Sequence, residues 1–195
     1  MENNSFWSIL KADISRYVGE NRFGIVTILK TLCNEEGLFF ILLYRLAQKI
    51  IQLKNPFIRW VLKLVFVFVL YRFFSVFFGI EINLQAKIGR GFYIGHYGGI
   101  FVGDVKIGEN CNISQGVAIG FGRLGTDRFG VPTIGSYVYI APGAKIFGSI
   151  TIGNNVSIGA NTVVSKNIPD NAIVVGNPGR IVGYQERNIH IQNPA

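Results

Sequence analysis

A branched aliphatic residue returns every six positions through the second half of this 195-residue chain. Ile82, Ile88, Ile94 and Ile100 open the series. After a one-residue slip it continues as Ile107, Ile113 and Ile119, and after a longer gap as Ile134, Ile140, Ile146, Ile152, Ile158 and Val164. Glycine often follows directly, as at Gly89, Gly108, Gly135 and Gly153, and the fourth residue on is often small or aliphatic, as at Cys111, Val138 and Ala144. A helix repeats its buried face every 3.6 residues and a simple strand every two, so neither demands isoleucine at each sixth position. A parallel β-helix does. Its short strands turn a corner every six residues, three to a coil, and equivalent isoleucines stack along an interior axis. Thirteen such sites predict roughly four coils, enough for a self-supporting stack.

Two interruptions break that geometry. The step from Ile100 to Ile107 is seven residues, and the step from Ile119 to Ile134 is fifteen. Residues 120–133 must therefore leave the column as a loop, and loops on a rigid scaffold are where ligand contacts concentrate.

Composition divides the chain. Of 24 glycines, 20 lie in residues 81–195, whereas 11 of 16 phenylalanines and both tryptophans lie in 1–80. The expected organisation is mainly β: an α-helical N-terminal domain over 1–80, then the β-helix with a C-terminal tail over 81–195. Residues 38–53 read as an apolar helix with Arg45 and Lys49 toward its C-terminus, where the helix dipole favours cations. Asn55-Pro56 interrupts and restarts the pattern. Residues 57–80 are more apolar still but contain Arg59, Lys63 and Arg72, leaving uncharged runs of only eight residues. A span of the bilayer wants about 20, which argues against a conventional transmembrane segment. The segment is expected either to be buried against helices or a second subunit, or to lie peripherally on the inner face of the plasma membrane.

Several function classes drop out by counting. Two cysteines, Cys33 and Cys111, support neither a disulfide scaffold nor a zinc cluster, and two histidines, His96 and His190, are too few for an imidazole-built metal site. No metal is expected. The net charge of +8 is dispersed, with 9 Lys/Arg against 6 Asp/Glu in 81–195, so no basic stripe for nucleic acid emerges. The first residues show no basic start followed by an apolar core, so no secretory signal is expected and a reducing cytoplasm fits.

The hexads, together with Tyr44-Arg45, Phe77-Phe78-Gly79-Ile80-Glu81-Ile82, Gly95-His96-Tyr97-Gly98-Gly99-Ile100, Asn112-Ile113-Ser114-Gln115-Gly116-Val117 and Val175-Gly176-Asn177-Pro178, carry a likeness over nearly the whole chain. They resemble the left-handed β-helix (hexapeptide-repeat) acyltransferases. The likeness is to the branch holding serine acetyltransferase and the colanic-acid and capsule-type polysaccharide O-acetyltransferases. It implies a homotrimer with acetyl-CoA in the groove between two subunits.

Carried over by position, His96 matches the general base. Acetyl transfer to an alcohol needs the hydroxyl proton removed as the oxygen attacks, a task imidazole suits near neutral pH. Glu81 matches the acid that orients this histidine, where the family usually has Asp. Ala141 and Ala160 match positions that leave room for the pantetheine arm, and Lys166 and Arg180 match cations on the phosphates. Two departures bear on the acceptor. Serine acetyltransferases place an acid directly before the base, and here that residue is Gly95. Their Asp-Arg-His loop pattern reads Asp127-Arg128-Phe129, and by this resemblance Asp127, Arg128 and Phe129 are expected to bind substrate in an aromatic-bordered site. These departures favour a carbohydrate acceptor. The expectation is therefore an O-acetyltransferase acting on a sugar hydroxyl of a cell-surface polysaccharide or its precursor, with serine O-acetyltransferase as the alternative.

Overall fold

A computed structural model of the chain describes residues 5–19, 24–122, 129–188 and 191. Helices come first: α1 (Phe6–Val18), α2 (Ile25–Asn34), α3 (Glu36–Ile51) and α4 (Pro56–Leu62). The last continues through a π-helical stretch, Lys63–Tyr71, into α5 (Arg72–Phe78). Asn55 caps α4, its side-chain oxygen accepting from the amides of Phe57 and Ile58, with Pro56 preset for the first turn.

Five coils of parallel β-solenoid follow. The first holds β1 (Ile80–Ile82), β2 (Lys87–Ile88) and β3 (Tyr93–Ile94), and the second β4 (Ile100–Val102), β5 (Lys106–Ile107) and β6 (Asn112–Ile113). The third holds β7 (Ala118–Gly120), β8 (Thr133–Ile134) and β9 (Tyr139–Ile140), and the fourth β10 (Lys145–Phe147), β11 (Thr151–Ile152) and β12 (Ser157–Ile158). The fifth has β13 (Val163–Val164) and β14 (Ala172–Val175), with β15 (Arg180–Tyr184) folded back antiparallel on β14. Strands stack into three sheets, β1-β4-β7-β10-β13, β2-β5-β8-β11 and β3-β6-β9-β12-β14-β15. Ile168 bridges Ile152 and completes a fifth coil that the thirteen hexads did not include.

The register corrects one hexad. Val102, not Ile100, stands in the stack with Ile82 and Ile119, while Ile100 lies over Ile80. From Ile94 to Val102 is eight residues, against six between the equivalent Ile113 and Ile119. The seven-residue step seen in sequence is thus a two-residue excess at the corner after β3, offset by one residue fewer at the next corner. Residues 95–99 bulge from the column.

The first coil presents an open ladder edge, and the helices close it with side chains. Ser75 Oγ donates to the Ile80 carbonyl at 2.6 Å, and the Tyr71 and Tyr44 hydroxyls donate to the Ile82 and Ala86 carbonyls at 2.7 and 2.8 Å. Arg45 donates to the carbonyls of Ile88 (2.7 Å) and Gly89 (2.6 Å), and Asp13 accepts from the Phe92 amide at 2.9 Å. Asp13 and Arg45 are themselves paired at 2.9 Å in full burial. Unpaired strand edges are aggregation-prone and buried orphan amides are costly, so this cap matters to stability. Phe40, Ile41, Tyr44, Ala47 and Tyr71 join the same core as the stacked isoleucines.

The segment from Pro56 to Phe78 is buried along one side only. Phe66, Val67, Tyr71, Phe74, Ser75 and Phe78 turn inward at intervals close to four residues. Such three- and four-residue spacings mark one face of a helix, with the opposite face left outside. The expectation of a helix buried among helices thus fails within one chain.

Cys111 is buried in the stack, where burial pushes its thiol up to about 12, and Cys33 is exposed. An aromatic disulfide reagent is expected to modify one thiol per native chain and the second only after unfolding. Rapid reaction of both in the native protein would contradict the stacking of Cys111.

Candidate active site

His96 sits on the five-residue bulge between β3 and β4, and its side chain is exposed. The bulge is pinned at both ends. Helix α5 stops at Gly79, which adopts a left-handed φ of 63°. Its carbonyl accepts from the Ile100 amide at 3.0 Å. Gly99 is also left-handed (φ 65°), and a Cβ there would lie 3.5 Å from the Gly116 Cα of the next coil. The Gly98 carbonyl accepts from the Gly116 amide at 2.8 Å, and Tyr97 meets Phe78 edge-on at 5.7 Å between ring centroids. Glycine is needed here because the chain must turn with φ positive while backbones approach closely. The outcome is an imidazole held outward on a constrained corner, open to an acceptor.

Glu81 lies in the middle of β1 and points outward, paired in register with Phe101. Its partner is Arg72 of α5, 3.8 Å away, and both side chains are more than half exposed. Among the described residues no hydrogen bond or ion pair joins Glu81 to His96. The pair with Arg72 is a surface contact of small energetic weight, so Glu81 is not locked away from other partners.

The edge that carries His96 continues down the solenoid. Ile94, Ile113, Ile140, Ile158 and Val174 are stacked equivalents. The residues following them therefore form one column, which holds Ala141, and the next residues form a second, which holds His96, Gln115, Pro142, Ala160 and Gly176. Ala141 is buried and Ala160 exposed, and beyond Gln115 and Pro142 the column below His96 narrows to Ala160 and Gly176. That shape suits a long thin arm lying along the corner. Arg180 pairs with Val175 at the far end of the same edge and is exposed. Lys166 is exposed too, but it follows β13 and lies at the opposite edge of the first sheet. One chain does not place both cations together.

Gln115 is the residue that sequence reasoning passed over. It stands one coil below His96, and its amide oxygen is buried with no hydrogen-bond partner. A buried unpaired acceptor is uncommon. The only signal in the sequence was its place within the Asn112–Val117 motif.

The 120–133 loop leaves after β7, at the far edge of the first sheet from the His96 corner. Its base is closed by the Gly122 amide donating to the Gly130 carbonyl at 2.9 Å, and Phe121 and Phe129 meet at 5.8 Å with both rings exposed. Asp127 and Arg128, two of the expected substrate-binding residues, lie outside the described residues. Within one chain, Phe129 and His96 belong to opposite edges of a sheet.

Stacked hexads, an outward histidine on a glycine-hinged corner and a small-residue edge beneath it define a hexapeptide-repeat acyltransferase. Residues 132–166 match the family model described as bacterial transferase hexapeptide (six repeats). The serine acetyltransferase of Bacillus pumilus (strain SAFR-032) is 35% identical over 187 residues, covering 95% of this chain and 81% of that protein. That of Bacillus subtilis (strain 168) is 36% identical over 179 residues, covering 91% and 77%. Among solved structures, serine acetyltransferase from Brucella abortus strain S19 in complex with coenzyme A superposes with a TM-score of 0.73 at 30% identity, covering 94% of this chain and 70% of that one. The chain belongs to the serine acetyltransferase family.

This overturns the expectation of a polysaccharide acceptor. The departures at Gly95 and Phe129 pointed to a sugar, yet relatives matched along most of their length are serine acetyltransferases. Two departures did not outweigh a match spanning helices and solenoid together.

Proposed function

We propose that this protein is a serine O-acetyltransferase, transferring the acetyl group of acetyl-CoA to the side-chain hydroxyl of L-serine. The match to serine acetyltransferases over 81% of a relative's length carries this reading, and the outward His96 on its constrained corner supports it. Acetyl-CoA supplies the thioester. His96 takes the serine hydroxyl proton as the oxygen attacks the thioester carbonyl, and Glu81 steadies the imidazolium that forms. As the C–S bond breaks, the imidazolium gives that proton to the departing coenzyme A thiolate. The pantetheine arm follows the edge past Ala141 and Ala160, and Arg180 and Lys166 neutralise phosphates. Because Arg180 and Lys166 occupy opposite edges of one sheet, as do His96 and Phe129, a complete site calls for neighbouring copies. A homotrimer with the cofactor in the groove between subunits meets that need.

Incubating the full chain with acetyl-CoA and L-serine is expected to yield O-acetylserine by mass spectrometry, with matching loss of thioester absorbance. Thioester loss at the same rate with and without serine would overturn the reading.

Gly95 offers a sharper check on the acceptor. A Cβ added there would meet Ser114 Oγ and Tyr93 Cε1 at 3.5 Å, ordinary van der Waals contact, and the backbone is not left-handed. An acid therefore fits. Gly95→Asp is expected to lower the KM for L-serine by roughly tenfold or more, the worth of one hydrogen bond to a charged group. An unchanged KM would mean that serine's ammonium is held elsewhere.

Glu81→Gln is expected to lower kcat by at least about tenfold with little change in KM for acetyl-CoA, and to move the lower limb of the pH–rate profile. Glu81→Asp should restore part of the rate. A loss of rate with no change in pH profile would assign Glu81 to the fold alone.

A further inference from the structure

We propose that the outer side of the Pro56–Phe78 helix docks this protein onto an anionic lipid bilayer, lying in the plane of the headgroups. The helix is 23 residues long, and only 11% of its most apolar stretch is buried. Leu64, Val65, Phe68, Val69, Phe73 and Val76 form a continuous outward strip, with Phe68 63% and Phe73 59% exposed. Trp60, also exposed, extends it toward the N-terminal end. An apolar strip of this size on a soluble surface marks an interaction site.

Charge selects the occupant. From residue 37 to residue 80 there is no Asp or Glu, but there are six cations: Arg45, Lys49, Lys54, Arg59, Lys63 and Arg72. Arg45 is buried against Asp13, and the other five are exposed. Arg72 lies within a shallow apolar groove beside Phe68, Val69, Phe73, Val76 and Phe77. Arg72 has Glu81 beside it at 3.8 Å, whereas Lys49, Lys54, Arg59 and Lys63 have no acid partner among the described residues. The face therefore keeps a net positive charge among its apolar rings and matches a bilayer of anionic headgroups over acyl chains. A second copy meeting this face by two-fold symmetry would set an excess of cations against their own images, with Glu81 already beside Arg72.

The helix lies on the bilayer and does not cross it. The 23-residue helix is long and apolar enough to cross a membrane, but Arg59, Lys63 and Arg72 leave it no uncharged run longer than eight residues, against about 20 apolar residues for a span. Its inner side is also tied down: the Tyr71 and Ser75 hydroxyls donate to the Ile82 and Ile80 carbonyls. Peeling the helix away would orphan those groups and uncover the first coil.

Flotation of the full chain with vesicles of phosphatidylcholine, with and without a quarter of phosphatidylglycerol, tests the proposal without any need for turnover. The protein is expected to float with anionic vesicles at low salt at least ~10-fold better than with neutral ones, each Lys or Arg near the surface adding roughly fivefold. High salt should weaken binding. Val69→Glu/Phe73→Glu, checked for folding by circular dichroism, is expected to lose at least ~10-fold in the floated fraction. Lys54→Glu/Lys63→Glu, which leaves the apolar strip intact, should weaken anionic binding alone. Protein left unfloated with anionic vesicles at low salt overturns the proposal, and so does either variant floating like the parent. Loss of self-association in Val69→Glu/Phe73→Glu, with no vesicle binding by the parent, overturns it in favour of an interface between copies.

Discussion

His96→Ala is expected to slow acetyl transfer to serine by about 10²–10⁴-fold, the usual contribution of a positioned general base. The side chain is exposed and holds up no neighbour. The melting temperature should therefore barely move, since surface substitutions of this kind stay within about 0.5 kcal/mol. Coenzyme A affinity should also persist, because the small-residue edge and Arg180 are untouched. Steady-state kinetics with calorimetric titration of coenzyme A separates the two effects. Full activity in the alanine variant would move the proton transfer to another group. Loss of coenzyme A binding in a folded variant would make His96 part of the cofactor site. Gln115→Leu is a useful companion, since it removes the unpaired amide oxygen one coil below without altering the imidazole.

Asp13→Ala is expected to produce the largest loss of stability, about 3–5 kcal/mol, as for a buried ion pair stripped of one partner. For a chain of this size that lowers the melting temperature by roughly 10 °C. Three consequences combine. Arg45 is left as an uncompensated buried charge, the Phe92 amide loses its acceptor, and the cap over the first coil loosens. Burial pushes the Asp13 carboxyl pKa up, while the charge and hydrogen bond of Arg45 oppose that rise. The Asp13→Leu/Arg45→Met pair removes both charges and should recover much of the loss. It should not recover all of it, because the Ile88 and Gly89 carbonyls would still lack their donors. Urea unfolding measures both variants. A cost below about 1 kcal/mol for Asp13→Ala would show that the helices dock by their apolar contacts alone.

Much of the solenoid was legible because its repeat is one-dimensional. Each isoleucine stacks only on its neighbours in adjacent coils, so a fixed spacing along the chain maps directly onto the interior axis. Ile100 shows where that mapping breaks. It keeps the six-residue spacing yet belongs to the Ile80 row, because spacing alone cannot say at which corner extra residues are inserted. The candidate site was legible at His96, where motif and glycine pair coincide, and illegible at Gln115, whose orphaned oxygen depends on packing between coils. The 57–80 segment divided the same way. It is apolar on every side, and which residues turn inward was decided by packing against α3 and β1. The sugar acceptor expected from Gly95 and Phe129 is overturned by a likeness to serine acetyltransferases that runs the length of the chain.

The six-residue recurrence of isoleucine by itself determined a coiled column of short strands, since only stacked corners bury one residue in six along a common axis. The tertiary structure alone decided that the corner after β3 is two residues longer than its equivalents, which leaves His96 exposed on the bulge. It also decided that the helices close the first coil through Asp13, Tyr44, Arg45, Tyr71 and Ser75. Those contacts join residues 11 to 79 positions apart or lie across a helix end. Hydrogen bonds between such partners leave no periodic trace in the chain.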